Sequence, residues 1–250
     1  MPNIYSNRVL VIGDVHGVYD CLIELLGVCR YSPKVDRLIF LGDLVDRGPK
    51  SIEVLRFAQE VHAESVMGNH DDWYVRYARH KAKGSIPYQM AAKTEKVALF
   101  EQMSEDDLAW LAALPTTISL SDKLILVHGG FSWNRPWKDQ PLKQVCRLRE
   151  IDKDTGHMCR FISPTIRTPN SVLWNEVWNG PESVIYGHNV QSLTEVIINK
   201  NSLGGVCWGI DSGACFGGRL TAALVEDRQV REFFQVQATK SYGDWKQQVE

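Results

Sequence analysis

Five short apolar runs in this chain each end in a residue that can ligate a metal ion. Val9-Leu10-Val11-Ile12 leads into Gly13-Asp14-Val15-His16-Gly17, Arg37-Leu38-Ile39-Phe40-Leu41 into Gly42-Asp43, and Ser65-Val66-Met67 into Gly68-Asn69-His70. Later, Leu124-Ile125-Leu126-Val127 leads into His128-Gly129, and Val184-Ile185-Tyr186-Gly187 into His188. Runs this short and rich in β-branched residues read as strands buried on both faces, in a sheet covered by helices. Sites in open α/β sheets assemble at the carboxyl ends of the strands, so five endings spread over most of the chain can converge on one place. In the extended chain leaving a strand, residues i and i+2 point the same way, so Asp14 and His16 can reach one ion. A single Gly-Asp after a strand would be only a turn; the repetition carries the inference.

Between these runs the texture alternates. Tyr19 to Cys29, with Leu22, Ile23, Leu25, Leu26 and Val28, reads as a helix packed on the sheet, and Ser51 to Glu60 as a second, with Ile52, Leu55 and Phe57 inward. Strand, helix, strand, helix, strand is the signature of right-handed crossovers and a mainly parallel sheet. After His70 the segments Asp72–His80, Gln89–Met103 and Ser104–Leu114 read as helices, the last opened by a capping-box-like Ser104 and Asp107. Residues 129–180 read as loop-rich, their tryptophans 133, 137, 174 and 178 packing an irregular region. Strands are expected again over 205–211, 220–226 and 230–234. At 250 residues, 44% hydrophobic and 23% charged, the chain suits one domain over 1–250, with a helical insertion at about 72–114 and a specificity region at about 129–180.

Composition excludes several function classes. A net charge of −2 gives no global electrostatic case for nucleic acid. The polar start, Met1 to Arg8, has no signal-peptide core and no apolar run approaches a membrane span, so a cytoplasmic protein is expected. The six cysteines form no Cys-x-x-Cys pair and are expected to be reduced.

The blocks Gly13-Asp14-Val15-His16-Gly17, Gly42-Asp43-Leu44-Val45-Asp46-Arg47-Gly48, Gly68-Asn69-His70-Asp71, His128-Gly129-Gly130 and Gly187-His188 resemble, in order, the five signature blocks of the binuclear metallophosphoesterases. Within these they are similar to the Ser/Thr protein phosphatase superfamily, which includes phage-lambda-type phosphatases and bis(5′-nucleosyl)-tetraphosphatases; Asp211-Ser212-Gly213 resembles the closing strand. The resemblance implies a calcineurin-like α/β fold, a central β-sandwich of mixed sheets flanked by helices. It implies that Asp14 and His16 hold one ion, that Asn69, His128 and His188 hold the other, and that Asp43 bridges. Carboxylate, imidazole and amide oxygen suit borderline divalent ions such as Mn²⁺, Fe or Zn²⁺; two Mn²⁺ ions are the expectation. Two ions about 3.5–4 Å apart would share a water and lower its pKa, giving direct attack by hydroxide without a phospho-enzyme. His70 is then the imidazole available to protonate the leaving oxygen, Asp46 its orienting partner, and Arg47 a planar fork for phosphate oxygens beside Asn69. His62, His80 and His157 lie outside every block and read as surface or structural.

Departures from the family pattern bear on the substrate. Asp71 stands where protein phosphatases usually have Glu, as in the tetraphosphatase branch, whereas the intact Asp46-Arg47-Gly48 resembles the protein phosphatases. Glu176 follows Trp174-Asn175 where lambda-type enzymes have Arg, and Met67 replaces an arginine common before Gly-Asn-His. The second phosphate-binding arginine must come from elsewhere, and Arg147 or Arg149 is expected to supply it. The leading expectation is a phosphatase of phosphoserine and phosphothreonine in proteins. The second is a hydrolase of dinucleoside polyphosphates or related nucleotides, and the third an inactive binding module on the same fold.

Overall fold

The computed structural model describes residues 8–163 and 166–247. Met1 to Asn7, part of the polar start over which no signal-peptide core is expected, lies outside the described residues. In chain order, β1 (Arg8–Ile12), α1 (Tyr19–Val28), β2 (Arg37–Phe40), α2 (Ser51–Glu60) and β3 (Glu64–Ser65) alternate. The helices α3 (Asn69–Ala82), α4 (Tyr88–Ala91), α5 (Thr94–Phe100) and α6 (Glu105–Ala112) follow. Then come β4 (Thr117–Ser121), β5 (Leu124–Val127), α7 (Leu142–Val145), β6 (Glu150–Asp152), β7 (Ser171–Leu173), α8 (Trp174–Val177) and β8 (Ser183–Tyr186). The chain closes through β9 (Ile197–Lys200), β10 (Val206–Gly209), β11 (Asp211–Ser212), β12 (Arg219–Glu226) and β13 (Gln229–Gln237).

Two mixed sheets face each other. The first has the order β11-β12-β1-β2-β3, with β13 also paired to β12; the second has the order β4-β5-β8-β10-β9. Because side chains alternate across a strand, each inner strand faces two cores. Val9, Val11, Ile39, Ala223 and Val225 of the first sheet meet Leu124, Leu126 and Ile185 of the second in the layer between them. Their neighbours Leu10, Ile12, Leu38 and Phe40 belong to the cluster that packs Leu22, Leu25, Val54 and Leu55 of α1 and α2 on the outer face. Both sets are nearly devoid of solvent contact, and each such side chain contributes about 1.5–3 kcal/mol by burial. This is why the apolar runs are continuous rather than alternating.

The expectation of a mainly parallel sheet is corrected. β1, β2 and β3 are parallel, but β12 adds antiparallel to β1, with Leu10 opposite Leu224. The second sheet likewise has a parallel centre, β5-β8-β10, and antiparallel edges. The βαβ pattern is local, whereas the β1–β12 pairing joins the two ends of the chain and leaves no local signature. The helix expected over Gln89–Met103 is two helices, broken at Ala92 and Lys93, where the backbone of Lys93 leaves the helical region at ψ 71°. Ser104 and Asp107 do form a reciprocal cap on α6, at 2.9 and 3.1 Å. Among the described residues no helix is long and apolar enough to cross a membrane, and all six thiols are free. Trp174 and Trp178 are buried and pack with Phe131, with ring centroids 6.3 and 5.6 Å from it.

Candidate metal centre

The strand ends converge. Asp43 follows β2, and its Oδ2 lies 3.5 Å from His16 Nε2 and 3.3 Å from His128 Nε2, between two imidazoles delivered by different sheets. Its Oδ1 accepts the backbone N–H of His70 at 2.8 Å. Two groups of ligand atoms, each within 4.8 Å of one another, share Asp43: His16, Asp43 and His70, and Asp43, His128 and His188. Asn69 Oδ1 is 3.0 Å from His128 Nε2. The turns are tight: His16, Asp43, Asp46, Arg47 and His188 all have positive φ, a conformation that bulky residues adopt sparingly and that clusters at functional sites. Gly187 permits a close approach, since a Cβ there would come within 2.1 Å of Asp14 Oδ1.

The residues present fit divalent ions. The Nδ1–H of His16 donates to Val45 O at 2.8 Å and that of His128 to Leu41 O at 2.7 Å, which turns each Nε2 toward Asp43 and leaves it as the atom that could take an ion. Carboxylate charge is concentrated behind them. Burial, and then the neighbouring Asp211, raise Asp14 well above the carboxylate range, and burial raises Asp211 to about 6. Burial opposes an imidazolium at His128, but Asp43 and Asp14 prevail and push it up to about 10. At His16, burial and the neighbouring His70 win, and its pKa falls to about 3. Buried carboxyls such as Asp14 and Asp211, held back from ionising in this way, would ionise beside bound cations, whose charge offsets theirs.

Placement of the expected residues differs in detail from the sequence reading. His16, Asp43, Asn69, His128 and His188 come together. Asp14 is adjacent but outside both groups; its two oxygens each lie 3.1 Å from the N–H of His188. His70, expected to move a proton, instead falls within the first group, with its ring 4.7 Å from that of His16. Its Nδ1 is 2.5 Å from Asp46 Oδ2. Tyr74, one helical turn further along α3, gives its hydroxyl to Asp46 Oδ1, and Lys96 of α5 brings its ammonium to Oδ2. Burial would raise Asp46, but His70 and Lys96 hold its carboxyl below the usual range. The i, i+4 spacing of His70 and Tyr74 was readable in the sequence; Lys96 carried no such signal.

The arginines separate. Arg47 is exposed, its guanidinium 4.7 Å from the Phe216 ring. Arg147 donates to Asp72 Oδ2 at 2.9 Å, and Arg76 donates to the same oxygen at 2.8 Å. Arg149 is buried, with Nη2 3.4 Å from His188 O and the Phe161 ring 4.3 Å away. Arg47 and Arg147 line a cavity of about 950 Å³ that also borders Asn69, His70 and Asp46; Arg149 does not. His62 and His157 are exposed and His80 is half-buried, all outside both ligand groups.

Known proteins resemble this chain over most of its length. A sequence profile of the calcineurin-like phosphoesterases matches residues 7–214. The chain is 30% identical over 289 aligned positions to the symmetrical bis(5′-nucleosyl)-tetraphosphatase of Aromatoleum aromaticum, covering 95% of this chain and 99% of the relative. It is also 30% identical over 273 positions to the enzyme of that name in Cronobacter sakazakii, covering 88% and 92%. A crystal structure of a proposed diadenosine tetraphosphatase superposes with a TM-score of 0.72 at 26% identity, covering 95% of this chain and 96% of that one. The matched profile spans all the candidate ligands from Asp14 to His188, and the chain belongs to the calcineurin-like phosphoesterases, a metallophosphoesterase family.

Proposed function

We propose that this metallophosphoesterase hydrolyses dinucleoside polyphosphates, cutting a central phosphoanhydride so that a symmetrical tetraphosphate and water yield two nucleoside diphosphates. The observation that carries this reading is the charge of the cavity beside the candidate metal centre. Six cations line it, Arg47, Arg56, Arg76, Lys93, Lys96 and Arg147, against the carboxylates Asp46, Glu53 and Glu95. A chain of phosphates places one negative charge at each internal group and can engage such a row at several points. Lys96 is paired with Asp46, and Arg76 and Arg147 share Asp72, yet a phosphoseryl peptide, with its single phosphate, would still engage fewer of the remaining donors than a polyphosphate. Tyr242 lines the same cavity and offers a ring on which a base can stack. The names of the relatives support the same choice, and the phosphoprotein reading, which rests on Asp46-Arg47-Gly48, becomes the second.

In this reading Asp14, His16, Asp43, Asn69, His128 and His188 hold two divalent ions, for which the donor set suits Mn²⁺, Fe or Zn²⁺, and Mn²⁺ is the ion proposed. When bound, the ions supply Lewis-acid charge at the phosphoryl oxygens and lower the pKa of a shared water. Arg47 and Arg147 orient the phosphoryl oxygens. His70 carries the proton for the departing diphosphate oxygen, and Asp46, itself held by Tyr74, keeps that imidazole in place.

The test is a panel of diadenosine tetraphosphate, a phosphoserine peptide and an aryl phosphate with Mn²⁺ present, compared by kcat/KM and by products. The expected result is the highest kcat/KM on the tetraphosphate, with ADP as sole nucleotide product. A higher value on the peptide, or ATP plus AMP as products, would overturn the reading.

A further inference from the structure

We infer that Lys96 binds the phosphate on the leaving side of the scissile bond, so that selection of polyphosphates over simple phosphomonoesters resides in α5. The inference rests on the cavity's reading as a polyphosphate site. Lys96 reaches the centre from a helix outside all of the strand-end loops, and its side chain is 17% exposed. Its Nζ meets Asp46 Oδ2 and lies 3.3 Å from His70 Nδ1, with the Trp73 and Tyr74 rings 5.2 and 5.6 Å away.

Two features point to a ligand rather than a merely structural ion pair. Asp46 is one carboxylate serving three groups: Tyr74 on Oδ1, and His70 and Lys96 together on Oδ2. Asp46 takes one of the ammonium's three N–H donors, so donors remain for a ligand, and the same side chain lines the cavity. The second feature is position. A leaving oxygen that takes its proton from His70 lies within one hydrogen bond of that imidazole. That oxygen meets the ring at Nε2, because Nδ1 is held by Asp46; Lys96 stands on the Nδ1 side, 3.3 Å from that nitrogen, and reaches the non-bridging oxygens of the attached phosphate by swinging past the ring edge into the cavity that both residues line. A compact ammonium on a flexible stem, with three donors, can turn from Asp46 to those oxygens. An alcohol or phenol leaving group places no charge there and gains nothing from the lysine.

The test uses the Mn²⁺-loaded enzyme and compares Lys96→Met and Lys96→Gln with the wild type. Inhibition of p-nitrophenyl phosphate hydrolysis is measured with orthophosphate, which fills one phosphate position, and with methylenediphosphonate, which fills two and resists hydrolysis. The inhibition constant for methylenediphosphonate should rise at least about tenfold more than that for orthophosphate, the scale of one charge-assisted hydrogen bond. In parallel, kcat/KM should fall about tenfold more on diadenosine tetraphosphate than on p-nitrophenyl phosphate. Parallel changes for both inhibitors would reduce Lys96 to a partner of Asp46 and overturn the inference. If the wild type instead prefers the phosphoserine peptide, the proposed substrate fails, while the two inhibition constants still decide whether Lys96 binds a second phosphate.

Discussion

The carboxylate of Asp71 holds the backbone N–H of Asp43 at 2.7 Å. The same Oδ2 accepts from Gly68 N at 3.1 Å, and Oδ1 accepts from Leu44 N, also at 3.1 Å. Asp71 is wholly buried, and Asp43, with φ 50°, is in the left-handed region that non-glycine residues adopt uncommonly. One residue thus ties the loop after β2 to the start of α3. Asp71→Asn keeps the volume but replaces one acceptor oxygen with an NH₂ that faces N–H donors. Each donor left unsatisfied costs about 1–3 kcal/mol, and metal affinity should drop about 10–100-fold, as for other residues that support a ligand from behind. Urea unfolding of the metal-free protein and metal titration check the two effects separately.

Because Asp43 Oδ2 stands between His16 and His128, Asp43→Asn should weaken both ions. His16→Ala should weaken chiefly the one on its side. Chelation should abolish hydrolysis and Mn²⁺ restore it, with about two ions per chain in the active form. Equal loss of both ions in His16→Ala would contradict the division between the two groups.

Asp46 gives a pH dependence of stability with a defined sign. Burial works against its charge, but the His70 hydrogen bond and the Lys96 ammonium keep the folded-state pKa below the unfolded value. The folded protein therefore binds fewer protons there than the unfolded chain. The stabilisation is fully present above about pH 4 and is lost as pH falls below it toward the folded value. In metal-free protein, the stability gap between wild type and Asp46→Asn should be constant from pH 7 to 5 and narrow at pH 3, measured by urea denaturation. A gap that does not change would place the stabilising effect of Asp46 elsewhere.

What could be read from the sequence follows how local each signal is. A strand and the ligand just beyond its end are adjacent in sequence, so Asp43, Asn69, His128 and His188 could be located as positions before any fold was known. The sheet order could not, since β12 joins β1 from the far end of the chain. Lys96 and the Arg76–Asp72–Arg147 clasp were missed for a related reason. They enter from helices and an irregular segment whose docking over the strand ends depends on tertiary packing, and nothing in a lysine's neighbours marks it as half-buried beside a histidine. Arg147 and Arg149 were left open because two residues apart on an irregular segment carry no face; here one reaches the cavity and the other is buried against His188.

That separation is testable. Arg147→Ala should weaken inhibition by orthophosphate about tenfold or more, the loss of a charge-assisted contact. It should leave the fold stable, because Asp72 retains Arg76. Arg149→Ala should act mainly on stability, as a buried guanidinium and its ring contact are removed. Phosphate inhibition lost in Arg149→Ala at unchanged stability would reverse the assignment. Arg47→Lys keeps the charge but not the paired donors, and should also weaken phosphate inhibition.

The placement of His70 within the His16–Asp43 group makes its role the sharpest question at this centre. Its Nδ1 is taken by Asp46 at 2.5 Å, so only Nε2 can serve either an ion or a leaving oxygen. The two roles differ in what they depend on. A proton donor matters in proportion to how poor the leaving group is: a seryl alkoxide needs the proton, whereas p-nitrophenolate departs with much less help. If His70 donates, His70→Asn should keep two ions and lose at least about tenfold more activity on a phosphoserine peptide than on p-nitrophenyl phosphate, the lower part of the range for general-acid help. Diadenosine tetraphosphate, whose leaving diphosphate is already acidic, should behave more like the aryl phosphate. Asp46→Asn should show the same bias in milder form, with the imidazole present but less well held. Loss of one ion from His70→Asn, with equal loss on all three substrates, would instead make His70 a ligand.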